Sequence, residues 1–221
     1  MMHADDVASV ILARSGSWRD ALSLQKLLYY VQAWHLAVTD EPLFGEQIKA
    51  WKNGPVVPQV WHSRRDKGTR RAAAQNVDGI ALDELTSDLI DLVLASYGSM
   101  SGEELMALTH VEEPWQDARG DLPSDADGYR PISTEAMANF YRAERKLGGR
   151  TAADLAAGGI HVRAPRREDS QPLDVRAILA SLPEEYSDPG EDPWGGANLD
   201  SGSEFSDEGI VGERRRVYVE P

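Results

Sequence analysis

The chain has 221 residues, 37 acidic against 23 basic side chains, a formal charge of -14, 41% hydrophobic residues and no cysteine. The missing cysteine excludes disulfides, thiol nucleophiles and cysteine-based zinc sites, and no run approaches the ~18 consecutive apolar residues of a membrane helix. The opening Met1-Met2-His3-Ala4-Asp5-Asp6 lacks the basic start and apolar core of a secretory signal, so a cytoplasmic protein without membrane insertion is expected, and the acidity argues against nucleic acid as the main partner.

Asp5 and Asp6 start a helix running to about Arg14, with Val7, Val10 and Ile11 on one side and Gly16-Ser17 as its stop. The strongest signal follows, from Ser23, a good N-cap, to about Thr39. Leu24, Leu27, Leu28, Val31, His35 and Val38 form one continuous helical face. Tyr29, Tyr30 and Trp34 widen it, which predicts a helix buried on more than one side. Asp40-Glu41-Pro42 breaks it. Gln47 to Lys52 alternates and reads as a short strand or an extended arm. Asn53-Gly54-Pro55 reads as a tight turn. Pro58 suits the first turn of a helix that carries Val60 and Trp61 to about Arg65.

Asp66 to Asp78 reads as a polar stretch. Together with Arg64 and Arg65 it supplies the cluster Arg64, Arg65, Lys67, Arg70 and Arg71, which the overall acidity assigns to a solvated loop, or to a patch that attracts an acidic surface, rather than to nucleic acid. Leu85 to Tyr97 is an amphipathic helix stopped by Gly98. Ser101 and Glu104 have capping-box spacing for the next helix. Pro114-Trp115 follows, and Ser133 or Thr134 opens a helix to about Lys146 with Met137, Phe140 and Tyr141. The expected architecture is mainly α: about six helices and one short extended or β segment over residues 1–147, then an acidic extension over 148–221. Glu184 to Glu208 holds nine acids and no Lys or Arg. A segment that buries so little apolar surface is expected to remain largely disordered.

Catalytic motifs are missing. The sequence has no G-x-S-x-G, Walker-type phosphate loop, H-E-x-x-H or G-x-G-x-x-G. His110 with Glu112 and Glu113 is the one grouping with metal-ligating chemistry, but a site needs about three or four convergent ligands, and a histidine at a helix C-terminus interacting with the dipole accounts for it equally. His35, on the apolar face, reads as a hydrogen-bonded core residue. Trp51 and Trp61, near element ends, are candidate interface anchors. No metal or cofactor is expected.

From Leu22 to Trp61 the sequence acquires a recognisable pattern. Leu24-Gln25-Lys26-Leu27-Leu28-Tyr29-Tyr30, Trp34, Pro42-Leu43-Phe44, Ala50-Trp51, Gly54-Pro55-Val56 and Pro58 occur in order, followed by Tyr97-Gly98, Thr109-His110, Pro114-Trp115 and Phe140-Tyr141. This series resembles the Panacea domain, the family that includes SocA-like and phage-associated GepA-type proteins, over residues 4–145. The resemblance implies a helical antitoxin without catalytic residues, whose partner is a protein toxin encoded by a neighbouring gene and neutralised by direct contact. SocA-like members imply an alternative, an adaptor that delivers the bound toxin to a protease. The family-motif positions are Gln25, Lys26, Tyr29, Trp34, Trp51, Gly54, Pro55, His110, Pro114 and Trp115.

The extension offers its own binding element. Pro172-Leu173-Asp174 opens a short helix, near 173–182, on which Val175, Ile178, Leu179 and Leu182 share one face. Such a face can dock in a partner's groove. Two further readings are a metal enzyme at His110, Glu112 and Glu113, and a DNA-binding autoregulator, for which no recognition helix with exposed Arg or Lys is evident. Oligomeric state is left open.

Overall fold

The computed structural model describes residues 1–15, 19–143 and 145–158. Among them are nine helices and one β-hairpin: α1 (Ala4–Arg14), α2 (Ala21–Thr39), β1 (Lys49–Trp51), β2 (Gly54–Val56), α3 (Pro58–Arg64), α4 (Lys67–Gln75), α5 (Glu84–Tyr97), α6 (Gly102–His110), α7 (Glu113–Arg119), α8 (Thr134–Ala143) and α9 (Ala152–Gly158). The fold is mainly α, as expected. No described helix is long and apolar enough to cross a membrane.

Helix α2 is the axis. Leu24, Leu27, Leu28, Tyr29, Tyr30, Val31 and Trp34 are all essentially inaccessible, and α2 packs against α1, α3, α5, α6, α8, α9 and β2. Burying each such side chain stabilises by about 1.5–3 kcal/mol, so this one helix organises most of the core. Its start corrects the sequence reading. Asp20, not Ser23, is the N-cap: its carboxylate accepts from Ser23 N–H at 2.7 Å and from the Ser23 hydroxyl at 2.9 Å. A carboxylate reaching two donors outcompetes a lone hydroxyl at the same helix end. Asp40 closes α2 in the left-handed region, φ 64°.

The extended region is a hairpin, not a single arm. β1 and β2 pair antiparallel with Lys49 opposite Val56 and Trp51 opposite Gly54. Gly54 and Pro55 therefore belong to a strand, and the turn falls at Lys52-Asn53. The segment before α8 continues the sheet: Ala50 N–H donates to Arg130 O at 2.9 Å and Ile132 N–H to Ile48 O at 2.8 Å.

Three helices were not expected. Helix α4 occupies the stretch read as polar, because Ala73 and the buried Arg70 give it one inward face, against α1 and α3. Arg70 donates to the carbonyls of Arg19 at 2.8 Å, Arg64 at 2.9 Å and Arg65 at 2.5 Å, so part of the basic cluster is structural; Arg64 likewise pairs with Asp5. Helix α7 starts with Pro114 in its first turn and ends at Gly120 with φ 56°. Helix α8 covers Thr134–Ala143 of the helix expected to run to about Lys146. Leu147 is fully buried, and beyond it α9 packs back on α2 and α8 with Leu155 inaccessible. The amphipathic segment 173–182 and the acidic run 184–208 lie outside the described residues, as does Gly16-Ser17.

Candidate functional site

The hairpin is pinned by the polar residues of the most apolar helix. Gln25 Oε1 accepts from Val57 N–H at 2.8 Å. Lys26 is fully buried, and its Nζ donates to Pro55 O at 3.1 Å. About two turns further, Gln32 Oε1 accepts from Leu43 and Phe44 N–H at 3.0 and 3.2 Å while its Nε2 donates to Phe44 O at 3.0 Å. These side chains satisfy buried backbone groups of β2 and of the irregular segments on either side of the hairpin. Burial pushes the Lys26 ammonium well below the usual lysine range, with Asp20 opposing the shift.

Gly54 makes the close approach possible. Its φ is +92°, and a Cβ there would lie 2.7 Å from Lys26 Cε and 2.8 Å from Thr109 Oγ1. Only glycine holds that backbone and leaves room for the lysine. The C-terminal end of α6 closes this layer. His110 stacks on Trp115 with ring centroids 4.1 Å apart and planes 13° from parallel, and Trp115 Nε1 donates to Trp51 O at 3.1 Å. Burial, reinforced by the charges on Lys26 and Arg119, pushes His110 down to about 3, so it is neutral at physiological pH.

One turn further along α2 lies a cluster of phenols and one carboxylate. Glu112, at the α6–α7 corner, accepts from Tyr141 at 2.9 Å and from Tyr30 at 3.3 Å. Tyr30 stacks on Tyr97 at 4.1 Å, and Tyr141 meets Tyr29 and Trp34 edge to face at 6.2 and 5.2 Å. Burial raises the Glu112 carboxyl to about 7, opposed mainly by the Tyr141 hydrogen bond.

The motif positions thus divide in two. Gln25, Lys26, Trp51, Gly54, Pro55, His110 and Trp115 converge on the hairpin, and Pro114 sets the α7 turn beside it; Tyr29 and Trp34 serve the phenol cluster. His110 and Glu112 are committed to these different layers, and no group of three metal-ligating side chains occurs among the described residues. His35 is half-buried, its Nδ1 2.7 Å from Glu41 O. The proposed anchors Trp51 and Trp61 do meet, edge to face at 6.3 Å, whereas Val175, Ile178, Leu179 and Leu182 lie outside the described residues. Sequence reasoning missed Tyr129, which packs on Trp51 at 6.1 Å and is 55% exposed. It sits in a polar loop with no periodic signal; only its pairing beside β1 reveals it.

Fold and contacts together define a helical scaffold that carries a rigid, aromatic-faced hairpin. Residues 24–116 match the family model described as Antitoxin SocA-like, Panacea domain, the family the sequence resembles, and that span contains Lys26, Gly54, His110 and Trp115. The chain is also similar to Antitoxin SocA of Caulobacter vibrioides, 32% identical over 106 residues; the alignment covers 42% of this chain and 56% of that protein. No solved structure matches.

Proposed function

We propose that this protein is an antitoxin that acts in the cytoplasm by binding a protein toxin directly, with no cofactor and no substrate turnover. The observation that carries the reading is the family match over the part of the chain that builds and pins the hairpin. The buried polar groups support it in kind. Lys26 of the motif donates to a backbone carbonyl, and Glu112, outside the motif positions, accepts from phenols, so both titratable groups maintain shape. The contact surface is the outer face of the hairpin, where exposed Tyr129 packs on half-buried Trp51, with buried Trp61 supporting Trp51 from beneath. Aromatic side chains on a rigid support supply large contact area at little entropic cost.

Co-expression with the neighbouring open reading frame tests this. Growth rescue together with a stoichiometric complex of undegraded toxin is the expected result. Rescue accompanied by accelerated loss of the toxin would mark delivery to a protease instead. Continued toxicity, or no complex, would sink both forms of the reading.

A further inference from the structure

The aromatic face has a cationic rim on a chain whose net charge is -14. Along β1, Ala50 points into the core, so Lys49 and Trp51 project to the opposite, outer side. Lys52 is at the turn. Exposed Arg130 follows Tyr129 in the segment bonded to β1. On α3, exposed Arg65 lies one turn beyond Trp61, to whose carbonyl its N–H donates at 2.9 Å, and exposed His62 is adjacent. The acids nearby are exposed Asp121, Asp125 and Asp127 in the loop before Tyr129, and Asp66 after Arg65. The ladder to residues 130–132 and the Trp115–Trp51 hydrogen bond hold the face in place before anything binds.

The complementary pattern is in the same chain. Glu184 to Glu208 interleaves nine acids with Tyr186, Trp194 and Phe205 and has no Lys or Arg. We infer that this acidic–aromatic segment docks on the Trp51/Trp61/Tyr129 face. Two concave surfaces are the wrong sign for it: the groove between α7 and α8 carries Glu113 and Asp117 beside Arg145, and the pocket near the N-terminus carries Asp6 and Asp78. Reach is no obstacle. The 25 residues from 159 to 183 span up to about 85 Å when extended, against a radius of gyration of about 15 Å for a domain of this size. A tether of this kind supplies an effective concentration on the order of 1 mM, so a contact of millimolar intrinsic affinity is populated about half the time. A partner that uses the face must then displace the segment, which selects for partners binding more tightly than the chain binds itself. The docking stands whether or not that partner is a toxin.

The full-length chain allows a direct test, because it has no native cysteine. A nitroxide on Ser201→Cys should weaken the backbone amide signals of Lys49–Lys52, Tyr129 and Arg130 by about twofold, and about 1 M salt, with a Debye length near 3 Å, should restore most of that intensity. Glu191→Gln/Asp192→Asn/Glu204→Gln, changed outside the described fold, should restore it at low salt. Broadening confined to α4 around Lys67 and Arg71 would show a purely charge-driven landing and overturn the assignment. So would broadening only in a mixture of spin-labelled and isotope-labelled chains, which would place a second copy on the face. Absence of local broadening would overturn it equally.

Discussion

Two clusters packed on α2 bury polarity in opposite ways. Toward the hairpin and the Leu43-Phe44 segment before it, Gln25, Lys26 and Gln32 commit their side chains to backbone groups, so each contact fixes a position of the chain. Toward α8, Glu112 meets the hydroxyls of Tyr30 and Tyr141, so the contacts join side chains and depend on a proton. The first arrangement specifies geometry, and the second can respond to pH. Substitutions on the hairpin side should therefore be sterically harsh and, apart from those at the titratable Lys26 and His110, insensitive to pH, while those on the phenol side should be milder and pH-dependent.

The harshest change is expected at Gly54. Gly54→Val forces a β-branched residue to φ +92° and into contact with Lys26 and Thr109. Left-handed strain and overpacking together should remove about 2–5 kcal/mol of stability, read as a lower urea midpoint with an unchanged slope. Lys26→Met is the sharpening partner. It removes a buried amine and leaves Pro55 O without its donor, so it should cost less than the glycine change. If the methionine variant is the less stable of the two, the lysine and not the glycine fixes the hairpin.

Titration separates the sides next. Glu112 has its pKa raised from 4.5 to about 7. Its favourable contribution is complete below pH 4.5 and is lost as pH rises through 7. His110, lowered from 6.5 to about 3, contributes stability above pH 6.5 that is lost as pH falls through 3. Between pH 4.5 and 6.5 the two slopes oppose each other. Glu112→Gln should therefore leave stability rising with pH across that window relative to the parent, and His110→Gln should leave it falling, each by about 1.4 kcal/mol per pH unit. Parallel profiles for the two variants would break the comparison.

Tyr141→Phe tests the phenol side more gently. It deletes the 2.9 Å hydrogen bond to Glu112. The loss should be about 1 kcal/mol at pH 5, where the carboxyl is protonated, and about 1.5–3 kcal/mol at pH 8, where it is charged. A loss independent of pH would mean that Glu112 does not change ionisation in this range.

How far these arrangements are legible in the sequence depends on what each element uses for its signal. Helix α2 declares itself because a 3.6-residue period needs only one face to be apolar, and the capping box of α6 is a two-residue code that the structure reproduces with bonds of 2.8 and 3.2 Å. Helix α4 was hidden because a buried arginine, capping loop carbonyls, stands where periodicity looks for an aliphatic residue. Helix α7 carried a usable signal in Pro114 and Gly120, a proline in the first turn and a glycine after the last, but seven residues leave no room for a period. The pattern Gly54-Pro55 was recognisable as a motif, yet its reason is a lysine 28 residues earlier and a threonine 55 later, and no local rule joins them. Tyr129 was illegible for the same cause: its neighbour Trp51 is distant in sequence, and only the ladder onto β1 brings the two together.

The smallest effect on stability is expected where the proposed function is most exposed. Trp61 is only 8% accessible and Tyr129 is 55% accessible, although both rings pack on Trp51. Trp61→Ala opens a hole beneath the face and should cost about 3–5 kcal/mol, so any loss of binding in that variant is uninformative. Tyr129→Ala removes an aromatic side chain that already faces water and should change stability by no more than about 0.5 kcal/mol. If the hairpin face contacts the toxin, the Tyr129 variant should keep its unfolding midpoint while more of it is needed to restore growth. An unaltered rescue dose, with the fold intact, would move the contact away from the hairpin and leave the aromatic series a purely structural buttress between β1, α3 and the loop before α8.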